Sequence, residues 1–211
     1  MKKIILFIIL LFIFITPTYA LDLTPNAKSA ILIETSTGKI LYEKNKDERY
    51  APASMTKMMS LVIIMDNIYN GNLKLDEMIK ASKNASGMGG SQIFLKEGEE
   101  MSVDDLLKGI TIGSANDATV ALAERIAGSE EEFVKIMNEY VKKFELKNTH
   151  FKNCTGLDED DHYSSAYDMS IIAKELVKYD KILNYSSIYE TYLRNDTDNK
   201  FWLVNTNKVV Y

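Results

Sequence analysis

Cysteine is almost absent from this chain of 211 residues. Cys154 stands alone, so no intramolecular disulfide can form and the fold must rest on its core. Clustered basic charge is missing as well. Arginine occurs only at Arg49, Arg125 and Arg194, the formal net charge is -5 and no basic stripe stands out, which argues against nucleic acid as a partner. No apolar run reaches the roughly 20 residues that a permanent membrane helix needs. The one glycine-rich stretch, residues 82–91, is not followed by Gly-Lys-Ser/Thr and fits no Gly-x-Gly-x-x-Gly spacing, so it does not cradle a phosphate. Internal repeats and linkers are lacking too.

What is present is ordinary for a globular protein: 46% hydrophobic and 26% charged residues, which excludes disorder. The length suits one domain or a lopsided pair. Residues 1–20 combine Lys2-Lys3, an apolar run from Ile4 to Ile15 and Thr18-Tyr19-Ala20, the pattern of a secretory signal peptide. They are expected to be removed on export, leaving no permanent membrane span; an uncleaved anchor is the rival reading. Cys154 has His150 and His162 near it in sequence, but nothing marks the thiol as activated and the spacing matches no zinc pattern. No metal is expected.

Residues 30–34 and 39–43 are apolar and β-branched runs around Ser36-Thr37-Gly38 and predict a hairpin. Ser102 to Asp105 and Ser129 to Glu132 read as capping boxes that open helices. Gly113 is expected to interrupt the first of these helical stretches, which resumes at residues 118–127 and closes at Gly128. The second helix carries Phe133, Ile136, Met137 and Tyr140 on one stripe. Residues 166–179 predict another amphipathic helix, and residues 189–193 with 201–204 a second hairpin. Strands at both ends and helices between them predict one sheet, built partly by each end of the chain, beside a large helical lobe.

The chemistry centres on Ala53-Ser54-Met55-Thr56-Lys57 and the apolar run after it. Pro52 before the run and Asn70-Gly71 after it bound a buried helix. Positions three apart share a helical face, so Ser54 and Lys57 sit side by side on its first turn. A hydroxyl beside an amine that burial keeps neutral is a way to make a nucleophile. For an isolated Ser-x-x-Lys a helix cap with a solvated lysine is the simpler reading, and a second copy, Ser36 to Lys39, falls in the predicted turn. Ser114-Ala115-Asn116 lies between two helices, where both side chains can face a cleft. For that tripeptide alone, a helix cap by Asn116 is the simpler reading.

The two motifs in this order, with their flanks, resemble the serine-type D-alanyl-D-alanine carboxypeptidases, low-molecular-mass penicillin-binding proteins. The flanks are Gly90-Ser91-Gln92-Ile93-Phe94-Leu95, Ser114-Ala115-Asn116-Asp117-Ala118, Asn148-Thr149-His150-Phe151, Thr155-Gly156-Leu157 and Ser165-Ala166-Tyr167-Asp168-Met169. The likeness runs from about Leu23 to Tyr211. It implies an α/β (α+β) fold of the β-lactamase/transpeptidase type, with Ser54 as nucleophile, Lys57 as base, Ser114 passing a proton to the leaving amine and Asn116 binding the substrate's amide backbone. The implied substrate is a peptidoglycan stem peptide ending in D-Ala-D-Ala, with β-lactams acylating the same serine and no cofactor. The implied location is the bacterial envelope or outside the cell.

The resemblance also implies a Lys-Thr-Gly strand, and no Lys-Thr-Gly occurs in the chain. Residues 21–211 are therefore expected to form an incomplete catalytic domain, truncated before that strand and hydrolysing weakly or not at all. A non-catalytic remnant that binds muropeptides or penicillin is the alternative. A β-lactamase fits less well, because no Glu-x-x-x-Asn-like segment supplies a deacylating base.

Overall fold

The two apolar runs become β1 (Ala30–Ile33) and β2 (Ile40–Lys44), paired antiparallel with Leu32 opposite Tyr42. Glu34 closes the turn between them: its N–H donates to Lys39 O at 2.9 Å, and its carboxylate accepts the N–H groups of Ser36 and Thr37 at 3.1 and 2.8 Å. The Ser36 and Thr37 hydroxyls, with those N–H groups, hold the Glu34 carboxyl down at about 2. The second Ser-x-x-Lys is thus consumed by a turn, as its flanking strands predict. This computed structural model describes residues 22–195 and 197–210. The expected leader, residues 1–20, lies outside the described residues.

The apolar run becomes α1 (Lys57–Tyr69), in which every residue from Met59 to Met65 is buried. A helix that is apolar all round has to be wrapped by others. It packs against α4 (Asn116–Ala127), itself buried from Asn116 to Ala123, and against α6 (Ala166–Leu176) and α5 (Glu130–Lys143). Ser102 caps α3 (Val103–Gly113) and Ser129 caps α5, each hydroxyl accepting the N–H three residues on, at 3.1 and 3.2 Å. Both caps were legible as capping boxes. Three short elements were not: α2 (Lys83–Ser86) inside the glycine-rich stretch, and β3 (Met78–Lys80) paired with β4 (Glu100–Ser102). Each is too short to show a period.

Four expectations need correction. Ser54 lies in a 3₁₀ turn, Ala53–Thr56, ahead of α1 and not in its first α-helical turn. The break expected at Gly113 falls one residue later: Gly113 is the last residue of α3 and Ser114 closes it; the missing side chain of Gly113 makes room for Leu203, whose Cδ1 would lie 2.7 Å from a Cβ. The helix expected over residues 166–179 stops at Leu176, and a separate α7 (Asp180–Ser186) follows. The two end hairpins do not merge into one sheet. The described residues hold three two-stranded sheets, and β5 (Glu190–Leu193) pairs only with β6 (Phe201–Val204). Each hairpin packs on a helix: β1 on α6, and β6 on α3, where Thr206 N–H also donates to Ile112 O at 3.1 Å. The mixed helix-and-sheet class and the helical lobe stand as expected. Among the described residues no helix is long and apolar enough to cross a membrane.

Candidate active site

Two buried helices begin at the candidate site. Lys57 is the first residue of α1 and Ser54 lies in the 3₁₀ turn that leads into it; α4 carries Asn116 as its first residue, with Ser114 two residues before it. Helix N-termini present N–H groups without intrahelical partners and the positive end of the dipole, which suits a site that must steady developing negative charge.

Ser54 is exposed and Lys57 is 3% exposed. Lys57 Nζ donates to Ser54 Oγ at 3.1 Å and to Thr155 O at 2.8 Å. Burial lowers the Lys57 pKa from its ordinary 10.5 to about 8. With one N–H fixed on Thr155 O, the neutral amine can keep its lone pair on the Ser54 hydroxyl. The 3₁₀ turn is braced from two directions. Lys152 N–H donates to His162 Nδ1 at 3.2 Å, so Nε2 carries the hydrogen that goes to Thr56 Oγ1 at 2.8 Å. Burial pushes the His162 pKa down and favours that neutral ring. From the other side, the backbone of Gly156 lies directly on Ala53. A Cβ there would sit 1.8 Å from Ala53 O and 3.0 Å from Ser54 N. Asn153 shapes this strand of chain, its Oδ1 accepting the Gly156 N–H at 2.7 Å and its Nδ2 donating to Leu157 O at 2.9 Å.

Ser114 ends α3 in the left-handed region, φ 59 and ψ 33. Its N–H donates to Ile110 O at 3.0 Å, a left-handed helix closure with serine where glycine is preferred, and the Ala115 N–H donates to Gly109 O at 3.1 Å. Asn116 does not cap α4: the N-cap is Ala115. The Asn116 N–H donates to Ser91 O, and its Nδ2 to Gly89 O, both at 2.7 Å. Its Oδ1 is buried and is the one such side-chain atom without a partner among the described residues. A buried acceptor left unpaired is expensive unless a ligand N–H fills it. Asn116 connects to the serine turn through three contacts. Gly90 approaches both Asn116 and Leu157, and Leu157 follows Gly156, which lies on Ala53.

The structure therefore bonds Ser54 directly to Lys57 and places Asn116 one layer of chain away, with Ser114 at the helix junction beside it. Cys154 is fully buried, donates to Glu130 Oε1 at 3.3 Å and has its pKa pushed up by burial, the reverse of an activated thiol. No group of His, Cys, Asp and Glu among the described residues could hold a metal ion. Sequence reasoning missed the Thr155 carbonyl, the Gly156 contact and the His162–Thr56 bond. Asn153-x-x-Gly156 is a turn signal that could have flagged the second; the other two are long-range and leave no local trace.

A sequence profile of the family described as D-alanyl-D-alanine carboxypeptidase matches residues 16–211. The chain is 59% identical over 189 residues to the D-alanyl-D-alanine carboxypeptidase DacF of Bacillus subtilis, covering 90% of this chain and 49% of that protein. It is 42% identical over 171 residues to the D-alanyl-D-alanine carboxypeptidase DacA of Escherichia coli, covering 78% and 42%. Among solved structures, penicillin binding protein 5 of Haemophilus influenzae superposes with a TM-score of 0.81 at 34% identity, covering 87% of this chain and 53% of that one. Penicillin binding protein 6B of Escherichia coli gives 0.81 at 30%, covering 92% and 63%. The chain thus spans about half the length of the curated relatives it matches.

Proposed function

The chain belongs to the D-alanyl-D-alanine carboxypeptidase family, and on that premise we propose that its site performs serine acyl transfer on peptides ending in D-Ala-D-Ala. Ser54 Oγ attacks the carbonyl carbon of the terminal peptide bond while its proton passes to neutral Lys57. The Ser54 N–H, near the start of the turn and without an intrahelical partner, is one donor to the oxyanion. Ser114 relays the proton to the departing D-alanine amine, and the acyl-enzyme is then opened by water. Asn116 offers its unpaired Oδ1 to a substrate N–H. A β-lactam enters the same path and acylates Ser54. The residue set calls for no cofactor. Residues 1–20 direct the chain out of the cell, so the substrate is peptidoglycan stem peptide in the envelope.

The observation that carries this reading is the 3.1 Å contact between an exposed serine hydroxyl and a buried lysine amine. These 211 residues contain no Lys-Thr-Gly, so the reading for them is acylation of Ser54 with slow or no D-alanine release. A fluorescent penicillin tests it: the chain labels, and Ser54→Ala does not. An unlabelled chain would favour a non-catalytic muropeptide binder. Release of D-alanine from a D-Ala-D-Ala peptide, followed alongside, reads turnover separately.

A further inference from the structure

Asp117 is fully buried and next in sequence to the asparagine of the site. Its carboxylate accepts three backbone N–H groups. Oδ1 takes Ala118 N–H at 2.9 Å and Ile93 N–H at 3.1 Å, and Oδ2 takes Leu95 N–H at 2.9 Å and Ile93 N–H at 3.2 Å. Ala118 lies in the first turn of α4, whereas Ile93 and Leu95 belong to the loop after the glycine-rich stretch. One side chain therefore clips that loop to the start of α4, where a carboxylate is also favoured by the helix dipole.

The clip has a consequence for Asn116. Upstream of Ile93 the loop contains Gly87, Gly89 and Gly90, a backbone with little conformational preference of its own. It nevertheless presents two carbonyls to Asn116, Ser91 O to the N–H and Gly89 O to the side chain, each at 2.7 Å. A carbonyl can only accept, so the Asn116 amide must turn its Nδ2 toward Gly89. Oδ1 is then left as the free acceptor. Were the loop to move, the amide could turn over and offer an N–H in place of an oxygen.

We infer that Asp117 is a positioning residue of the acyl-transfer site: by clipping the loop at Ile93 and Leu95 to α4, it sets which face of the Asn116 amide meets the ligand. This rests on the proposed role of Asn116. It assigns Asp117 no contact with substrate, and it separates the residue from one that merely stabilises the fold, because its effect must pass through Asn116.

The test is a double-mutant cycle on the 211-residue chain, read as the rate of Ser54 acylation by a fluorescent penicillin. Asp117→Asn replaces an acceptor with a donor facing an N–H and is expected to slow acylation by about ten- to a hundredfold. In the Asn116→Ala background the same change is expected to do nothing further. Additive losses would overturn the inference. If Asp117→Asn does not fold, Gly90→Ala takes its place. That Cβ would lie 2.7 Å from Asn116 Nδ2 at a φ of +78, so it disturbs the amide from the loop side, and the same non-additivity is expected. Amide hydrogen exchange supplies a readout independent of catalysis. Ile93, Leu95 and the Asn116 side-chain amide should be protected in the parent chain and released in Asp117→Asn. A parent chain that fails to label would sink the proposed function while leaving this exchange measurement in force; unchanged protection would sink the inference itself.

Discussion

Lysine side chains ordinarily lay their methylenes on apolar surface and keep the charge in water. Lys57 cannot, because the apolar run behind it and the chain at Thr155 enclose its amine. The charged form is therefore disfavoured, and the pKa falls from 10.5 to about 8. Two consequences follow with defined signs. The unfolded chain holds the proton up to about 10.5 and the folded chain only to about 8, so between those values the unfolded state binds more protons and folding stability rises with pH. On the proposed mechanism Ser54 needs the neutral amine, so its acylation should also rise with pH and reach half its plateau near 8. A pH–rate profile of penicillin labelling checks this, and a profile flat from about pH 6 to 10 would contradict a lysine base. Lys57→Arg, which stays charged at any of these pH values, should lose about 10²–10⁴ in rate. Ser114 shows the same logic in the backbone: a serine is kept in a left-handed conformation that glycine would adopt with less strain, at a helix end beside the site.

At the scale of elements, the site depends on backbone packed against backbone. Gly156 and Gly128 both have positive φ, 86 and 88, yet their surroundings differ. Gly128 has nothing within 4 Å of a prospective Cβ, and Gly128→Ala should cost about 1–2 kcal/mol from conformation alone. At Gly156 the new methyl would collide with Ala53 O, a backbone atom that cannot swing aside. Gly156→Ala should destabilise by about 3 kcal/mol or more and should also abolish Ser54 labelling, because the 3₁₀ turn must shift. Denaturant unfolding and penicillin labelling of both variants decide it; equal losses in the two would show that the turn is not braced by Gly156. The caps on α3 and α5 act locally, and the serine hydroxyls at 102 and 129 are each worth about 1 kcal/mol to their helices.

At the scale of the molecule, the two end hairpins serve the lobe separately. Leu203 of β6 is 4% exposed and fills the space that Gly113 leaves on α3, the helix whose end presents Ser114. Leu203→Ala should cost about 2–5 kcal/mol by opening a cavity there. Leu32→Ala, on an outward position of β1 that is 53% exposed, should stay within about 0.5 kcal/mol. Chemical denaturation of the pair measures how far the second hairpin is part of the core; a small loss at Leu203 would mean that it is only loosely docked. With a single cysteine, no covalent brace compensates either change.

The two end hairpins, the capped starts of α3 and α5, and the pairing of Ser54 with Lys57 could all be read from residues a few positions apart. Each is written by a local period, a cap or a turn residue, and short-range sterics decide them. The 3₁₀ form of the serine turn, the separation of the hairpins, the true purpose of Gly113 and the orientation of Asn116 could not. They depend on Gly156 meeting Ala53, Leu203 meeting Gly113 and Asp117 reaching Ile93, contacts between residues far apart in the chain. Such contacts leave no periodic mark, because they are settled only when packing chooses which surfaces meet.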